Sequence, residues 1–319
     1  MIITVASGKG GTGKTTVAVS LALSLAEAAG PPSSDNPPQR AERLSPLFLD
    51  CDVEEPNAAL FLNPTIDERR EVGQMIPQVD LETCIHCGRC AEVCQYNAIA
   101  VVGENVLVFP ELCHACGSCT LNCPTEAISE ILDVTGVIER GSSCSPSLSD
   151  SKSDVRAGVI EFAHGILNVG EAMAVPVIHQ LKQWVVPSHP GERPVILDAP
   201  PGNACPVVEA MNGADFVLLV TEPTPFGLHD LKQAVEVARD EMGLPVGVVI
   251  NREGVGDQGV DAYCAAEQVP ILMRIPIDRR IAEAYSEGVP LVAALPGYRE
   301  ALRELYRRIV EFLNAERTV

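Results

Sequence analysis

The sequence predicts an α/β fold: a parallel sheet with helices on both faces, interrupted by a small α+β module. Three observations predict it. Short apolar, β-branched runs alternate with helical stretches and end in acidic residues, as buried parallel strands do. A glycine-rich loop, Gly8-Lys9-Gly10-Gly11-Thr12-Gly13-Lys14-Thr15, lies between the first such run and the first helical stretch. One cysteine pattern, C-x2-C-x2-C-x3-C, occurs at Cys84, Cys87, Cys90 and Cys94 and returns 29 residues later at Cys113, Cys116, Cys119 and Cys123.

Taken in order, residues 2–6 are short, apolar and β-branched, which predicts a buried strand. Residues 16–29 are rich in Ala, Leu and Val and predict a helix, stopped by Gly30-Pro31-Pro32. Residues 31–46 carry prolines with Ser, Asp and Asn and predict a flexible surface loop. Leu47-Phe48-Leu49-Asp50 is a second strand ending in an acid. The cysteine region repeats internally, since Gly88/Gly117, Ala98/Ala127 and Ile99/Ile128 align at the same offset as the cysteines. Residues 141–154 read as a polar linker. Strands resume at 195–198, 216–220 and 246–251, with a helical stretch at 228–240. The expected division is 1–75 and 136–319 for the two parts of the sheet domain, with 76–135 inserted. Active groups then gather at the carboxyl ends of the strands. Leu302, Leu305, Tyr306, Ile309, Phe312 and Leu313 recur at helical spacing beside a mixed Arg303, Arg307, Glu304, Glu311 face, which favours core packing over a membrane surface.

Composition narrows the partners. A chain of 319 residues with 46% hydrophobic residues can bury a sizeable core. A net charge of −20 argues against a phosphate-backbone partner, so no nucleic acid is expected. No run of 18 apolar residues occurs, so no stable membrane insertion is expected. The apolar start leads straight into the glycine loop and lacks the basic opening and cleavage site of a signal peptide, which predicts a cytoplasmic protein. Twelve cysteines in a reducing compartment read as metal ligands before disulfides. Cys51, Cys144, Cys205 and Cys264 fall outside the two runs.

A glycine loop between strand and helix lets backbone N–H groups converge on phosphate oxygens at the positive end of the helix. Gly8, Gly10, Gly11, Thr12, Gly13, Lys14, Thr15 and Thr16 are the candidate phosphate contacts. Lys14 supplies a point charge to the β- and γ-phosphates, and the Thr15 hydroxyl is a Mg²⁺ ligand. The stretch Ser7 to Thr16 resembles the deviant phosphate loop of the MinD/ParA/Mrp ATPases and the nitrogenase iron protein. That resemblance implies a parallel P-loop NTPase sheet, ATP and Mg²⁺ as cofactors, and slow, partner-dependent hydrolysis to ADP and phosphate. It also implies a homodimer, or a heterodimer with a related ATPase, in which Lys9 reaches the partner's nucleotide. Leu49-Asp50-Cys51-Asp52 resembles the family's first switch, with Asp52 orienting the attacking water and Asp50 near Mg²⁺. Asp198-Ala199-Pro200-Pro201-Gly202 resembles the second, with Asp198 holding metal-bound water and Gly202 sensing the γ-phosphate. Lys9, Lys14, Asp50, Asp52 and Asp198 are thus the catalytic candidates. Asn251 resembles the adenine-reading residue, and Ile275-Pro276-Ile277-Asp278 the loop covering the base. Asn251-Arg252-Glu253-Gly254 lacks the N-K-x-D pattern of guanine-specific proteins, which favours ATP over GTP.

Thiolates at i, i+3 and i+6 can wrap three corners of a cubane, and the fourth must come from elsewhere. The doubled run resembles that of bacterial-type ferredoxins, in which the fourth cysteine of each run serves the other cluster. The resemblance assigns Cys84, Cys87, Cys90 and Cys123 to one [4Fe–4S] cluster and Cys113, Cys116, Cys119 and Cys94 to a second, in a two-cluster ferredoxin-like domain. Zinc is the competing occupant of C-x2-C pairs, although zinc sites seldom use three cysteines at two successive x2 spacings. Pro124 follows Cys123 as the pattern expects, whereas Gln95 follows Cys94. The module has few apolar residues, so its clusters are expected to be structural as well. No C-x2-C pair lies outside the two runs, so the cluster that some relatives share across a dimer is not expected here. Cys51 and Cys264 read as small buried apolar residues, and Cys144 and Cys205 stand alone. Residues 165–171 and Thr221-Glu222-Pro223-Thr224 lie near strand ends. They suit either ordinary turns or a face toward the dimer partner or the insert.

The expectation for function is an ATP-hydrolysing iron–sulfur protein that couples nucleotide state to electron transfer toward a redox partner protein. Two alternatives stand beside it: an iron–sulfur cluster carrier or maturation factor, and a MinD-type spatial or assembly regulator with structural clusters.

Overall fold

The computed structural model describes residues 1–29, 45–144, 159–187, 191 and 193–316. Its strands are β1 (Ile2–Ala6), β2 (Leu47–Asp50), β3 (Thr65–Val79), β4 (Ile99–Val102), β5 (Asn105–Val108), β6 (Ile128–Cys144), β7 (Val159–Leu167), β8 (Val195–Asp198), β9 (Phe216–Thr221), β10 (Val246–Glu253) and β11 (Ile271–Pro276). Its helices are α1 (Lys14–Ala29), α2 (Ala58–Leu62), α3 (Arg89–Val93), α4 (Ser118–Leu121), α5 (Val175–Val185), α6 (Cys205–Met211), α7 (Pro225–Val235), α8 (Gly259–Ala266), α9 (Arg279–Ser286), α10 (Leu291–Ala294) and α11 (Tyr298–Glu316).

Nine strands form one sheet in the order β11-β10-β9-β1-β8-β2-β7-β6-β3. The strands from β11 to β7 are parallel, while β6 and β3 add antiparallel. The sheet is therefore mixed and mostly parallel. Its central strands are buried along their length, as β2, β8 and β9 show, because helices cover both faces. One face packs α1, α2, α10 and α11 over Phe48, Phe162 and Ile196. The other packs α5, α6, α7 and α8 over Leu49, Leu197 and Leu219. Parallel strands need both faces dry, since helical crossovers occupy each side.

The sequence does not announce the antiparallel edge. Strands β3 and β6 form a ribbon whose near part lies in the sheet beside β7 and whose far part leaves it. Pairing with β7 ends at Gly136, whereas pairing with β3 continues to Ile128. The cysteine module, with α3, α4 and the β4–β5 hairpin, sits between the two ribbon strands in sequence and at the ribbon's far end. Helix α5 grips the ribbon's near part. The Trp184 ring lies 4.3 Å from the Arg70 guanidinium and 4.9 Å from that of Arg140, and Glu68 pairs with both arginines.

The expected linker at 141–154 is corrected at its start. Gly141, Ser142, Ser143 and Cys144 belong to β6 and pair with β3 or β7 on either side. Tertiary pairing overrides the weak strand propensity of Gly and Ser. Glycine is required at 141, where a Cβ would lie 1.8 Å from Thr65 O. Residues 145–154 lie outside the described residues, as do 30–44 of the expected loop and its stop. Within that loop Ser45 and Pro46 are buried rather than at the surface. Their carbonyls accept from Arg193 Nε and Glu161 N. The first helix begins at Lys14, two residues before the expected start.

Helix α11 packs against α1, with Leu302, Leu305 and Ile309 at 0–1% exposure. No helix among the described residues is long and apolar enough to cross a membrane. Leu305→Ala deletes a fully buried side chain and is expected to cost about 2–5 kcal/mol in denaturant unfolding. A loss below about 1 kcal/mol would show that α11 is not part of the core.

Candidate functional site

The glycine loop joins β1 to α1 at the carboxyl edge of the sheet. Its turn is shaped by contacts that only glycine permits at two positions. A Cβ on Gly8 would meet Asp230 O at 2.3 Å, and Gly13, at φ +94°, would meet Asn251 Nδ2 at 2.4 Å. Ser7 Oγ donates to Lys9 O (2.6 Å), and Val17 N closes the first helical turn on Gly13 O (3.0 Å). Gly10 lies against Pro201 of the second switch stretch, Gly11 adopts φ +75°, and Thr16 lies on α1 beside Phe61 and Tyr285.

Two buried acids meet below this loop. Asp50 and Asp198 are register partners at the ends of β2 and β8, each 1% exposed. Thr15 Oγ1 donates to Asp198 Oδ2 (2.5 Å). Asp50 accepts from Asp52 N (3.1 Å) and Ala58 N (2.9 Å). Burial pushes Asp198 up to about 7, opposed by the Lys14 charge and the Thr15 hydrogen bond. Burial and then the charge of Asp198 hold Asp50 well above the usual carboxylate range. Asp52, half-buried, is pushed up to about 6 by burial, with Lys14 opposing. Asp198 Oδ1 and Thr12 Oγ1 are buried without a protein partner. Buried oxygens of this kind normally bond to something. Two adjacent carboxylates, a buried lysine and unpaired oxygens fit a divalent cation with phosphate.

The remaining nucleotide candidates sit around this centre. Gly202, at φ +99°, donates its N–H to Ser7 O (3.0 Å), which ties the stretch after β8 to the start of the loop. Cys51 N bonds to Asp198 O (2.9 Å), tying the ends of β2 and β8 together. Asn251 Nδ2 donates to Thr12 O (2.7 Å), so this side chain lies against the glycine loop. Pro276 is one strand further out, paired in register with Glu253. Asp278 caps α9 by accepting from Arg280 N (2.9 Å) and is held below its ordinary pKa by the Arg280 guanidinium. Lys9 Nζ lies 3.5 Å from Glu222 Oε2 in the same chain. Glu222 also binds Arg252 Nη1 (2.6 Å), and Arg252 Nη2 reaches Gly11 O (3.1 Å).

Sequence reasoning did not single out Arg252 or give Glu222 a role. Glu222 stands in the stretch noted at a strand end, and Arg252 directly follows Asn251. Arg252's left-handed φ of +55° is invisible in sequence.

The cysteine module repeats in backbone as well as in sequence. His86 and Ala115, Gly88 and Gly117, and Asn97 and Glu126 all take positive φ, each pair at the 29-residue offset. These turns wrap each loop around its cysteines. Ala98 N bonds to Cys94 Sγ (3.2 Å) and Ala127 N to Cys123 Sγ (3.3 Å). The turn after Cys94 keeps the geometry of its counterpart although Gln95 replaces proline: Asn97 N reaches Cys94 O at 3.4 Å, and Glu126 N reaches Cys123 O at 3.3 Å.

Two cavities lie in the module. One is lined by Cys84, Cys87, Cys90 and Cys123, with Val79 and Ile128 of the ribbon. The other is lined by Cys94, Cys113, Cys116 and Cys119, with Met75 and Pro77. Cys87 and Cys116 are exposed and Cys90 and Cys113 buried. Burial raises the Cys90 and Cys113 thiols, whereas the Ser118 hydroxyl lowers Cys116. His114 stacks on Tyr96 at 3.8 Å beside the second cavity. Of the other cysteines, Cys51 and Cys264 are buried, while Cys144 and Cys205 are exposed.

Fold and site together define a class: a MinD-like P-loop sheet carrying a 4Fe–4S module on a ribbon. Comparison with known proteins meets both halves. The family model of the 4Fe-4S dicluster domain matches residues 76–129. An uncharacterized protein of Methanocaldococcus jannaschii is 28% identical over 289 residues, covering 90% of each chain. The iron-sulfur cluster carrier protein of the same archaeon is 25% identical over 143 residues, covering 39% of this chain and 48% of its own. Among solved structures, the septum site-determining protein MinD of Pyrococcus horikoshii, complexed with Mg-ADP, superposes with a TM-score of 0.52 at 19% identity, over 97% of this chain and 95% of its own. The chain thus has the MinD-like fold with a 4Fe–4S dicluster module inserted in it.

A carboxyl whose pKa is raised by folding contributes stability that is whole below its unfolded value and lost as pH rises through the folded one. Without Mg²⁺ or nucleotide, the protein is therefore expected to lose stability between about pH 4 and about pH 7 as Asp50 and Asp198 ionise. Asp50→Asn removes one buried charge. Its Tm is expected to fall less than that of wild type between about pH 5 and pH 7, by at least about 2 °C. Identical slopes would show that the fold does not hold Asp50 above the usual carboxylate range.

Proposed function

We propose that this chain binds Mg·ATP at the glycine loop, hydrolyses it slowly in partnership with a second ATPase subunit, and couples nucleotide state to electron transfer through two [4Fe–4S] clusters. The observation that carries the reading is continuity. The strand bearing Asp50 pairs with β7, β7 pairs with β6, and β6 runs unbroken to the cysteine cavities. A change at the first switch thus has a short backbone route to the cluster module.

Each residue takes a role that its surroundings support. Backbone N–H groups of residues 8–16 and Lys14 cradle the phosphates, and Thr15 with Asp198 orders the cation and its water. Asp50 supports the cation from the second strand end. Asp52 is half-buried with a pKa pushed up to about 6, which suits a group that accepts or orients a water proton near neutral pH. Gly202 reads the γ-phosphate after exchanging its bond to Ser7 O. Lys9 leaves Glu222 to reach a partner's nucleotide across a homodimer or a heterodimer with a related ATPase. Asn251, Pro276 and Asp278 form the base side of the pocket. The interleaved cysteine sets hold two clusters, which supply one-electron chemistry when bound. Residues 1–75 and 136–319 form the ATPase part and 76–135 the insert, in a cytoplasmic protein that meets a redox partner.

A second reading, a carrier that passes clusters to acceptor proteins, is favoured by one observation, the partial similarity to an iron-sulfur cluster carrier protein. It predicts clusters that leave for an apo-acceptor within the assay, whereas the electron-transfer reading predicts clusters that stay.

Two measurements test the proposal. Protein purified without oxygen is expected to hold about eight iron and eight sulfide per chain. Cys123→Ser is expected to lower both to about four, because it breaks the cavity of Cys84, Cys87 and Cys90 and leaves the other set whole. Zinc in place of iron overturns the cluster assignment. Lys14→Ala removes a charge-assisted phosphate contact of about 1.5–3 kcal/mol and is expected to weaken Mg·ATP binding at least about tenfold. Lys9→Ala is expected to spare binding and slow hydrolysis. Normal hydrolysis by Lys9→Ala removes the trans-acting role.

A further inference from the structure

The turn after β7 connects two places that are far apart in sequence. Leu167 N donates to Val53 O (2.8 Å), one residue past Asp52. Asn168 then donates twice to β6, through its backbone N to Thr135 O (2.9 Å) and through Nδ2 to Val134 O (2.9 Å). Those two carbonyls mark an irregularity in the ribbon. The register passes from Val72 opposite Gly136 to Gly73 opposite Val134, which leaves Thr135 without a partner residue. This is a β-bulge, a device that bends a strand and re-aims what lies beyond it.

The bulge is held from both sides and is imperfectly satisfied. Gln180 Nε2 of α5 donates to Gly73 O (2.6 Å) on the opposite strand. Thr135 is 1% exposed, and its hydroxyl has no partner. An unpaired buried hydroxyl is costly, which favours any arrangement of the bulge that gives it a partner. The cluster module begins just past this point. Gln74 Nε2 reaches Pro110 O (3.4 Å) ahead of Cys113, and Met75 lines the cavity of Cys94, Cys113, Cys116 and Cys119.

The packing between the first switch and the bulge has no slack. A Cβ on Gly165 would lie 2.7 Å from Val53 Cγ1 and 2.9 Å from Val177 Cγ1, and one on Gly136 would lie 2.6 Å from Ile166 O. A close-packed contact of this kind passes on a displacement and does not absorb it.

We infer that Asn168 is the positioning residue through which the first switch sets the bulge at Thr135, and with it the stance of the cluster-bearing end of the ribbon. The inference rests on the reading that nucleotide binds at the glycine loop and shifts the Asp50–Val53 segment. Asn168 touches neither nucleotide nor cysteine. It acts by holding the Val134 and Thr135 carbonyls in line with Leu167 and Val53. Coupling between distant sites rests on an element whose equilibrium both sites bias, and the bulge, held from both sides with an unpaired hydroxyl, is the candidate for it.

The test uses the full chain with its clusters, purified without oxygen, and hydrogen–deuterium exchange with and without the Mg²⁺ complex of a non-hydrolysable ATP analogue. In wild type the analogue is expected to change exchange about fivefold or more, both at residues 50–55 and in the ribbon at 72–79 and 128–136. In Asn168→Ala the change at 50–55 is expected to persist and the ribbon change to disappear. Iron content and analogue affinity should stay within about twofold of wild type. Asn168→Asp keeps the size and the backbone bond but replaces the Nδ2 donor with an acceptor facing Val134 O, so it is expected to lose the ribbon response as well and serves as the test should Asn168→Ala fold poorly. A wild-type response at 50–55 without one in the ribbon overturns the inference and leaves the nucleotide reading intact. So does a ribbon response that survives in both variants. Failure of wild type to bind the analogue overturns the nucleotide reading and the inference with it.

Discussion

Strand β6 pairs with β7 from Gly136 to Cys144 and with β3 from Ile128 to Ser142, interrupted at Thr135, and the rest of the molecule is arranged around that double pairing. Its backbone groups would otherwise lie along an open sheet edge, which is costly when buried and sticky when exposed. By pairing on both sides, the chain turns the edge of a parallel sheet into the root of a ribbon. Glycine is needed where the backbones crowd, at Gly141 against Thr65 O and at Gly73 against Asp133 O, each with a Cβ distance of 1.8 Å. The result is one piece of β-structure with strand-end acids in one part and cysteine cavities at its tip.

The same pairing sets the electrostatics at the sheet's carboxyl edge. Asp198, Asp50, His164 and Glu139 follow one another across β8, β2, β7 and β6 in register. His164 Nε2 and Glu139 Oε2 pair at 2.9 Å. Asp198 and Asp50 do not, because two buried carboxylates repel and each is desolvated. Lys14 and Thr15 offset only part of that cost. A cation at this position would offset the remainder. Glu222 plays the opposite part, holding Lys9 and Arg252 in its own chain.

The cysteine module shows how little apolar material a duplicated loop needs when its ligands organise it. Its buried clusters are small: Ile76, Ala98 and Cys113 in one, and Cys90, Ile99 and Ile128 in the other. Each contains cysteines from the cavity linings. So small a core fits the general rule that metal binding and folding are coupled in modules of this size. The two-fold repeat of positive-φ residues, at His86 and Ala115 without glycine, places strained turns where the loops must curl tightly.

Much of this was legible in the residues themselves. The glycine loop, the strand-end acids and the doubled cysteine spacing are local signals, because each motif's chemistry depends on neighbours within a few residues. They identified β1, α1, β2, β8, β9 and β10 and the eight cysteines of the module, whereas only the resemblance to two-cluster ferredoxins assigned the fourth cysteine of each set. The ribbon was not legible, since the strand character of β3 and β6 comes from pairing across long stretches of chain, from Val79 with Ile128 out to Thr65 with Ser142. For the same reason Gly141–Cys144 looked like a linker. Sequence named Lys9, Glu222 and Asn168, or the stretches that contain them, without saying what they touch. Only the tertiary structure set Lys9 against Glu222 and Asn168 against the bulge. Long-range contacts follow from how the sheet closes and from which backbone groups remain to be satisfied, and no local pattern records either.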